Sequence, residues 1–174
     1  MRVVAGRLGG RRLRAPRGRE TRPTSDRVRE ALFSMLGPLD GVRVLDLFAG
    51  SGALAIEALS RGAAEAVLVE RDPRAVAAIE RNLEPLGASA VVRRRDVLAY
   101  LRESAEGPFD LVFADPPYDA ASGLAAPLGE ELPKLVSEGA RIVIESDKRK
   151  QLVLPLPLLR ERTYGDTAIA IYGP

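Results

Sequence analysis

Apolar positions along this chain follow two periods that take turns. Val28, Ala31, Leu32 and Met35 recur at i, i+3, i+4 and i+7, which is the stripe of an amphipathic helix. Thr24 or Ser25 stands at its N-cap, and Gly37-Pro38 stops it. A short apolar run at 44–47 then reads as a buried strand, and Leu54, Ala55, Ala58 and Leu59 form the next helical face. The alternation continues with a strand at 66–70 and a helix opened by Asp72-Pro73, in which Val76, Ile79 and Leu83 recur before Gly87. A strand at 90–93, a helix from Asp96 through Leu101 and a strand at 109–114 follow. A helix over 124–136, interrupted by Pro127 and Pro133, leads to a strand at 141–145. The tail, 159–164 and 167–172 around Gly165-Asp166, reads as a hairpin. This order predicts an α/β fold with a doubly wound, mainly parallel seven-stranded sheet and an antiparallel C-terminal hairpin. Val3-Val4-Ala5 and Arg11-Arg12-Leu13 flank glycines, so a small hairpin precedes the first helix. The expected organisation is an extension over 1–37 and a main unit over 38–174, packed as one compact body.

Ligands of such sheets bind beyond the carboxyl ends of the strands, at the switch point. Asp46, Glu70, Asp96 and Asp115 all fall at predicted strand ends on that edge. The strand at 109–114 runs into Asp115-Pro116-Pro117-Tyr118. Two prolines remove two donors and fix φ, so the chain is stiff where it leaves the sheet. This turn aims a carboxylate, a proline carbonyl and an aromatic ring at one small volume. The two oxygens suit the hydrogens of a nucleobase exocyclic amine, and Tyr118 suits its ring face. At 44–52 a strand enters the glycine-rich turn Phe48-Ala49-Gly50-Ser51-Gly52, and a helix follows. Glycines let a ligand approach the backbone closely. Gly50-x-Gly52-x-x-Ala55, with Glu70 about twenty residues on, fits the loose dinucleotide fingerprint. Asp46 just before the glycines disfavours a pyrophosphate and suits a cationic group such as the amine of a methionine moiety.

Together these segments resemble the class I S-adenosylmethionine-dependent methyltransferases. The Asp-Pro-Pro-Tyr element is similar to that of members acting on exocyclic amines of nucleic-acid bases. Val3-Val4-Ala5-Gly6, Arg11-Arg12-Leu13 and Arg22-Pro23-Thr24-Ser25-Asp26-Arg27-Val28-Arg29-Glu30-Ala31-Leu32-Phe33 narrow the resemblance to the RsmD family, over nearly the whole chain. That family methylates the 2-amino group of one guanine in bacterial 16S ribosomal RNA. The resemblance implies S-adenosylmethionine as cofactor. It places Asp46, Phe48, Gly50, Ser51 and Gly52 against the methionine part and Glu70 on the ribose hydroxyls. Asp96 and the Val97 amide would read the adenine edge, although Asp96 also suits a plain helix cap. Arg71 is counted with this site, either paired with a carboxylate or solvated. Asp115, Pro116, Pro117 and Tyr118 would hold the acceptor amine. Tyr164 and Tyr172 read as packing residues of the hairpin.

Composition narrows the chemistry. At 174 residues and 46% apolar content the chain can bury about two-thirds of its unfolded surface in one core. It has no cysteine and no histidine, which excludes disulfides, His-based general bases and metal sites built on Cys or His. No window reaches the roughly 20 apolar residues of a membrane span, and the N-terminus has no apolar signal core, so a cytoplasmic protein is expected. Ten arginines against Glu20, Asp26 and Glu30 give residues 1–30 a net charge of +7, which leaves −5 for the rest of a +2 chain. That segment is an electrostatic footprint for a polyanion, with Arg7, Arg11, Arg12, Arg14, Arg22 and Arg29 as candidate RNA contacts. The alternative is a solvated basic arm. The expected partner is 16S ribosomal RNA, within an assembling small subunit, and the expected state is a monomer. Three other functions use parts of the same pattern: a DNA adenine or cytosine amino-methyltransferase, a cofactor-holding RNA-binding module without turnover, and a nicotinamide oxidoreductase. The absence of a separate base-reading segment disfavours the first, intact Asp115 and Tyr118 the second, and Asp46 the third.

Overall fold

In a computed structural model describing residues 1–16, 25–87, 89–117 and 123–174, strands and helices alternate as the two periods predict. The order is α1 (Asp26–Leu36), β1 (Arg43–Leu47), α2 (Ala53–Ser60), β2 (Glu65–Glu70), α3 (Pro73–Leu83), β3 (Ala90–Arg94), α4 (Val97–Glu103), β4 (Phe109–Ala114), α5 (Ala125–Glu131), β5 (Val136–Asp147), β6 (Leu158–Tyr164) and β7 (Thr167–Tyr172). The seven strands form one sheet in the order β3-β2-β1-β4-β5-β7-β6. The first five are parallel, and β7 runs antiparallel between β5 and β6. The chain moves outward from β1 in one direction, returns, and continues from β4 in the other. The β1–β4 junction is therefore the switch point where a crevice opens.

Side chains of a strand alternate between faces. Val44 and Leu68 pack with Leu111 and Phe113 beneath α1 and α2, and Ile79 of α3 joins them. Leu45, Leu47, Val67 and Val112 face the other way, against Tyr100 and Leu101 of α4 and Leu128 of α5. Covering both faces explains why these strands read as continuous apolar runs. Ser25 caps α1, its Oγ accepting from the Val28 amide at 3.3 Å, and Gly37 ends it with φ 70°. Tyr172 is buried and its hydroxyl accepts from the Leu154 amide at 3.4 Å, so it packs as expected. Tyr164 packs part-buried against the same core as Met35.

Three expectations need correction. The helix predicted over 124–136 is shorter: Pro127 sits in the first turn of α5, where a missing N–H costs little, and a 3-10 turn at Leu132–Lys134 ends it. Strand β5 is longer than 141–145, because Val136 already pairs with Phe109 of β4. The predicted stripe of α2 covers only one side, yet Ile56, Glu57 and Ser60 are also buried. The N-terminal hairpin covers them. The amides of Val3 and Leu13 donate across it to the carbonyls of Arg11 and Met1, and Val3, Leu8 and Leu13 pack on Ile56 and Leu86. Glu57 accepts from the amides of Val4 at 2.7 Å and Ala5 at 3.0 Å, and from Arg61 Nε at 2.7 Å. Arg29 closes this cluster from α1. Its Nε lies 3.9 Å from Glu57, and its Nη2 donates to Asp26 at 2.8 Å and to the Arg2 carbonyl.

Candidate active site

The site grows from three strand ends. Asp46 is the penultimate residue of β1 and shares the Val44 face, toward α2. It is 2% exposed, and its Oδ2 accepts from the Ala55 amide in the first turn of α2 at 3.1 Å. Burial pushes its pKa up to about 7; the Ala55 amide pulls the other way, and the charge of Glu70 adds to the rise. Glu70 ends β2 and is also buried. Its Oε2 accepts from the Gly50 amide at 3.0 Å, and its Oε1 accepts from the amides of Arg71 and Asp72 at 2.8 and 2.9 Å. The turn between β1 and α2 is thus tied down by the carboxylate of the next strand.

That turn needs unusual backbone angles. Phe48, Gly50 and Gly52 have φ of 59°, 57° and 75°. A Cβ at Gly52 would stand 3.0 Å from Leu68 Cδ2, so the position requires glycine for packing as well as for φ. At Gly50 a Cβ would meet only Phe48 O, at 3.8 Å, so this part of the loop faces open space. Phe48 tolerates a left-handed conformation that its bulk disfavours, with its ring packed on the α4–α5 core. Ser51 turns its carbonyl to the buried Asn82 of α3, which donates to it at 2.9 Å. The donor set is a cradle of backbone with two buried carboxylates behind it. It fits a ligand carrying a cation near Asp46 and hydroxyls near Glu70.

Asp115 leaves β4 directly after Ala114, whose register partners are Leu47 of β1 and Ile144 of β5. This places Asp115 between the end of β1 and Glu145. It is exposed at the mouth, while Pro116 behind it is buried and Pro117 half-buried. Surrounding protein and the charges of Glu145 and Asp46 all raise the Asp115 pKa well above the usual carboxylate range. Because the side chain meets solvent, the two charges are the firmer cause. Tyr118 and Arg22 lie outside the described residues.

Asp96 is the N-cap of α4, its Oδ1 accepting from Leu98 and Ala99 amides at 3.0 and 3.2 Å. Its Oδ2 lies 3.8 Å from Arg71 Nη1, so Arg71 pairs loosely with a carboxylate while its side chain stays mostly in solvent. Val97 is buried in the α4 core. Among the arginines, Arg7, Arg11, Arg12 and Arg14 are exposed on the N-terminal hairpin. Arg29 is not: it is 0% exposed beneath that hairpin and pairs inside the protein, so it has no surface to offer a phosphate. Arg29 follows the apolar Val28 on α1, and the hairpin folds over it, its Arg2 carbonyl accepting from Arg29.

Glu145 is the residue that the strand-end reading missed. It is buried near Asp115, one step past Ile144. The run Ile142-Val143-Ile144-Glu145 has the same shape as Val67-Leu68-Val69-Glu70, and that likeness is the signal that would have found it. Asn82 was also missed; an asparagine late in an amphipathic helix is the signal there.

The same arrangement of strands and turns recurs in known proteins. The family described as conserved hypothetical protein 95 matches residues 1–173. Ribosomal RNA small subunit methyltransferase D of Escherichia coli K12 is 38% identical over 182 residues, covering 99% of this chain and 89% of the relative. The protein of the same name from Haemophilus influenzae is 36% identical over 185 residues, covering 99% and 93%. The solved structure of Escherichia coli yhhF superposes with TM-score 0.86 at 35% identity, covering 99% of this chain and 96% of that one. A hypothetical protein of Thermus thermophilus gives TM-score 0.83 at 37% identity, over 100% and 99%. Fold and full-length likeness agree, and the chain belongs to the family of ribosomal RNA small subunit methyltransferase D.

Proposed function

We propose that this protein methylates the exocyclic 2-amino group of a guanine in 16S ribosomal RNA, using S-adenosylmethionine. The observation that carries the reading is Asp115 at the switch point, beside Asp46 and directly after β4. The family's named members act on small-subunit ribosomal RNA. We place the reaction in the cytoplasm, on an assembling small subunit, with the enzyme a monomer. Among the described residues no helix is long and apolar enough to cross a membrane.

S-adenosylmethionine supplies a methyl group already activated by its sulfonium. Asp46 would hold its ammonium group, Gly50–Gly52 would cradle the methionine part, and Glu70 would accept from the ribose hydroxyls. Asp96 and the Val97 amide would take the adenine edge, with Asp96 also capping α4. The acceptor amine has its lone pair spread into the guanine ring. Hydrogen bonds from that amine to Asp115 and the Pro116 carbonyl favour a pyramidal nitrogen and offset the positive charge that develops in attack. The raised Asp115 pKa also makes it a stronger base for the departing proton than an ordinary carboxylate. Stacking of the extracted base on Tyr118 would contribute roughly 1–3 kcal/mol.

The test is incubation with radiolabelled S-adenosylmethionine and either naked small-subunit RNA, undermethylated subunits or duplex DNA, followed by nucleoside identification. Label in N2-methylguanosine from RNA is expected. Label in DNA adenine or cytosine, or none at all, overturns the reading. The basic hairpin gives a second arm. Replacing Arg11, Arg12 and Arg14 together should flatten the slope of log affinity against log salt by roughly two units, since each single-strand phosphate contributes about −0.7. An unchanged slope would make the hairpin a solvated arm.

Asp46 makes cofactor binding pH-dependent. Its folded-state pKa of about 7 lies above the unfolded value of 3.8. Neutral Asp46 therefore stabilises the free fold below about pH 4, and that contribution is lost as pH rises through about 7. An ammonium group beside it favours the carboxylate instead. Binding of S-adenosylhomocysteine at pH 6 should then release close to one proton, read by calorimetry in buffers of different ionisation enthalpy. Asp46→Asn should abolish the release, and a wild-type protein that releases none contradicts the placement of the amine.

A further inference from the structure

Asn82 spends its whole side-chain amide on two segments that the proposed reaction must bring together. Its Nδ2 donates to Ser51 O at 2.9 Å, in the turn between β1 and α2. The same Nδ2 donates to Arg14 O at 3.0 Å, and its Oδ1 accepts from the Arg14 amide at 2.8 Å. The amide thus pairs with the Arg14 peptide as a neighbouring strand would, while its second proton holds the glycine-rich turn. Both Nδ2 protons and the Oδ1 acceptor are used. Asparagine is a poor helix former, so its place near the end of α3, 3% exposed, needs such partners. A second contact runs alongside: Met1 Sδ lies 3.8 Å from Ser51 Oγ, and Met1 packs against the cluster of Val3, Leu8, Leu13, Ile56 and Leu86. Arg14 itself keeps its side chain exposed, next to the exposed Arg11 and Arg12.

We infer that Asn82 is a positioning residue that couples the cofactor loop to the basic N-terminal hairpin, so that cofactor and RNA strengthen each other's binding. The inference rests on the cofactor and RNA assigned above. A ligand that orders Ser51 also orders Asn82, and through it the Arg14 peptide from which the hairpin's cations project. Linkage makes the effect reciprocal. Glu70 holds the opposite side of the same turn through Gly50, so the loop is tied both to the sheet and, through Asn82, to the hairpin.

The experiment measures the affinity of wild type and Asn82→Leu for a fluorescent small-subunit RNA, with and without saturating S-adenosylhomocysteine. Calorimetry of S-adenosylhomocysteine alone accompanies it. Wild type should bind the RNA about fivefold or more tightly with the ligand present, a coupling of ordinary size. Asn82→Leu should bring that ratio close to one. An arm without RNA follows hydrogen exchange at the Arg14 amide, which should slow on addition of S-adenosylhomocysteine in wild type and not in Asn82→Leu. Should Asn82→Leu fail to fold, Arg14→Pro removes the donor to Oδ1 from an exposed segment and should lower the ratio likewise. Arg14→Ala keeps the peptide, and should weaken RNA binding while retaining the ratio. A wild-type ratio of one, or a ratio unchanged in both Asn82→Leu and Arg14→Pro, overturns the coupling with the methyltransferase reading intact. A wild type that binds S-adenosylhomocysteine but no RNA overturns the RNA reading, and the exchange arm then decides the link between loop and hairpin. Failure to bind S-adenosylhomocysteine overturns both.

Discussion

Asp115→Ala is expected to slow methyl transfer by about a hundredfold or more, as removal of one preorganised electrostatic contact does. The affinity for S-adenosylhomocysteine should stay within a few-fold of wild type. Asp115 stands at the mouth on the β4 side, whereas the proposed cofactor contacts lie along β1 and β2 at Asp46, Gly50 and Glu70. Single-turnover rates on undermethylated subunits measure the first effect, and calorimetry the second. Asp115→Asn separates two roles. The amide keeps an acceptor oxygen and removes the repulsion that Glu145 and Asp46 exert on a carboxylate, but it cannot take a proton. A variant close to wild type in rate would show that orientation suffices and that water takes the proton. An Asp115→Ala protein with near-native turnover would remove Asp115 from the reaction.

Glu57→Ala is expected to destabilise the fold by about 3–5 kcal/mol, the usual consequence of leaving a buried charge without its partner. Glu57 is 0% exposed and holds together three segments: the hairpin through Val4 and Ala5, α2 through Arg61, and α1 through Arg29. Truncation would take a carboxylate away from Arg29, which is itself fully buried, has no hydrogen-bond partner at Nε or Nη1, and would keep Asp26 and the Arg2 carbonyl at Nη2. For a chain of this length the melting temperature should drop by roughly 6–20 °C, at about 2–4 °C per kcal/mol. The double variant Arg29→Met with Glu57→Met should recover much of the loss, because an apolar pair of similar volume often replaces a buried ion pair at little cost. Denaturant unfolding of the three proteins tests this. A loss below about 1 kcal/mol in Glu57→Ala would show that the cluster is dispensable, and a double variant no better than the single one would place the loss in the unpaired Val4 and Ala5 amides rather than in the Arg29 charge.

What local pattern determined is the set of elements and the edge where chemistry gathers. A period of about 3.6 marked α1 and α3, apolar runs marked the strands, and a charge closing each run placed Asp46, Glu70 and Asp115 at one side of the sheet. Ser25, Gly37 and Asp96 stood where caps belong, because a cap depends only on the residues next to it. The tertiary structure alone decided what covers what. Arg29 and Glu57 carry charge, and local reasoning places charge at the surface. They are buried because the hairpin, 53 residues from Glu57 at Val4, folds over α2. The bonds of Asn82 span 31 residues to Ser51 and 68 to Arg14. Glu145 joins Asp115 only through the β4–β5 register. Periodicity reports which face of an element is apolar. It carries no record of which distant segment will pack there, and a buried polar group takes its meaning from that partner.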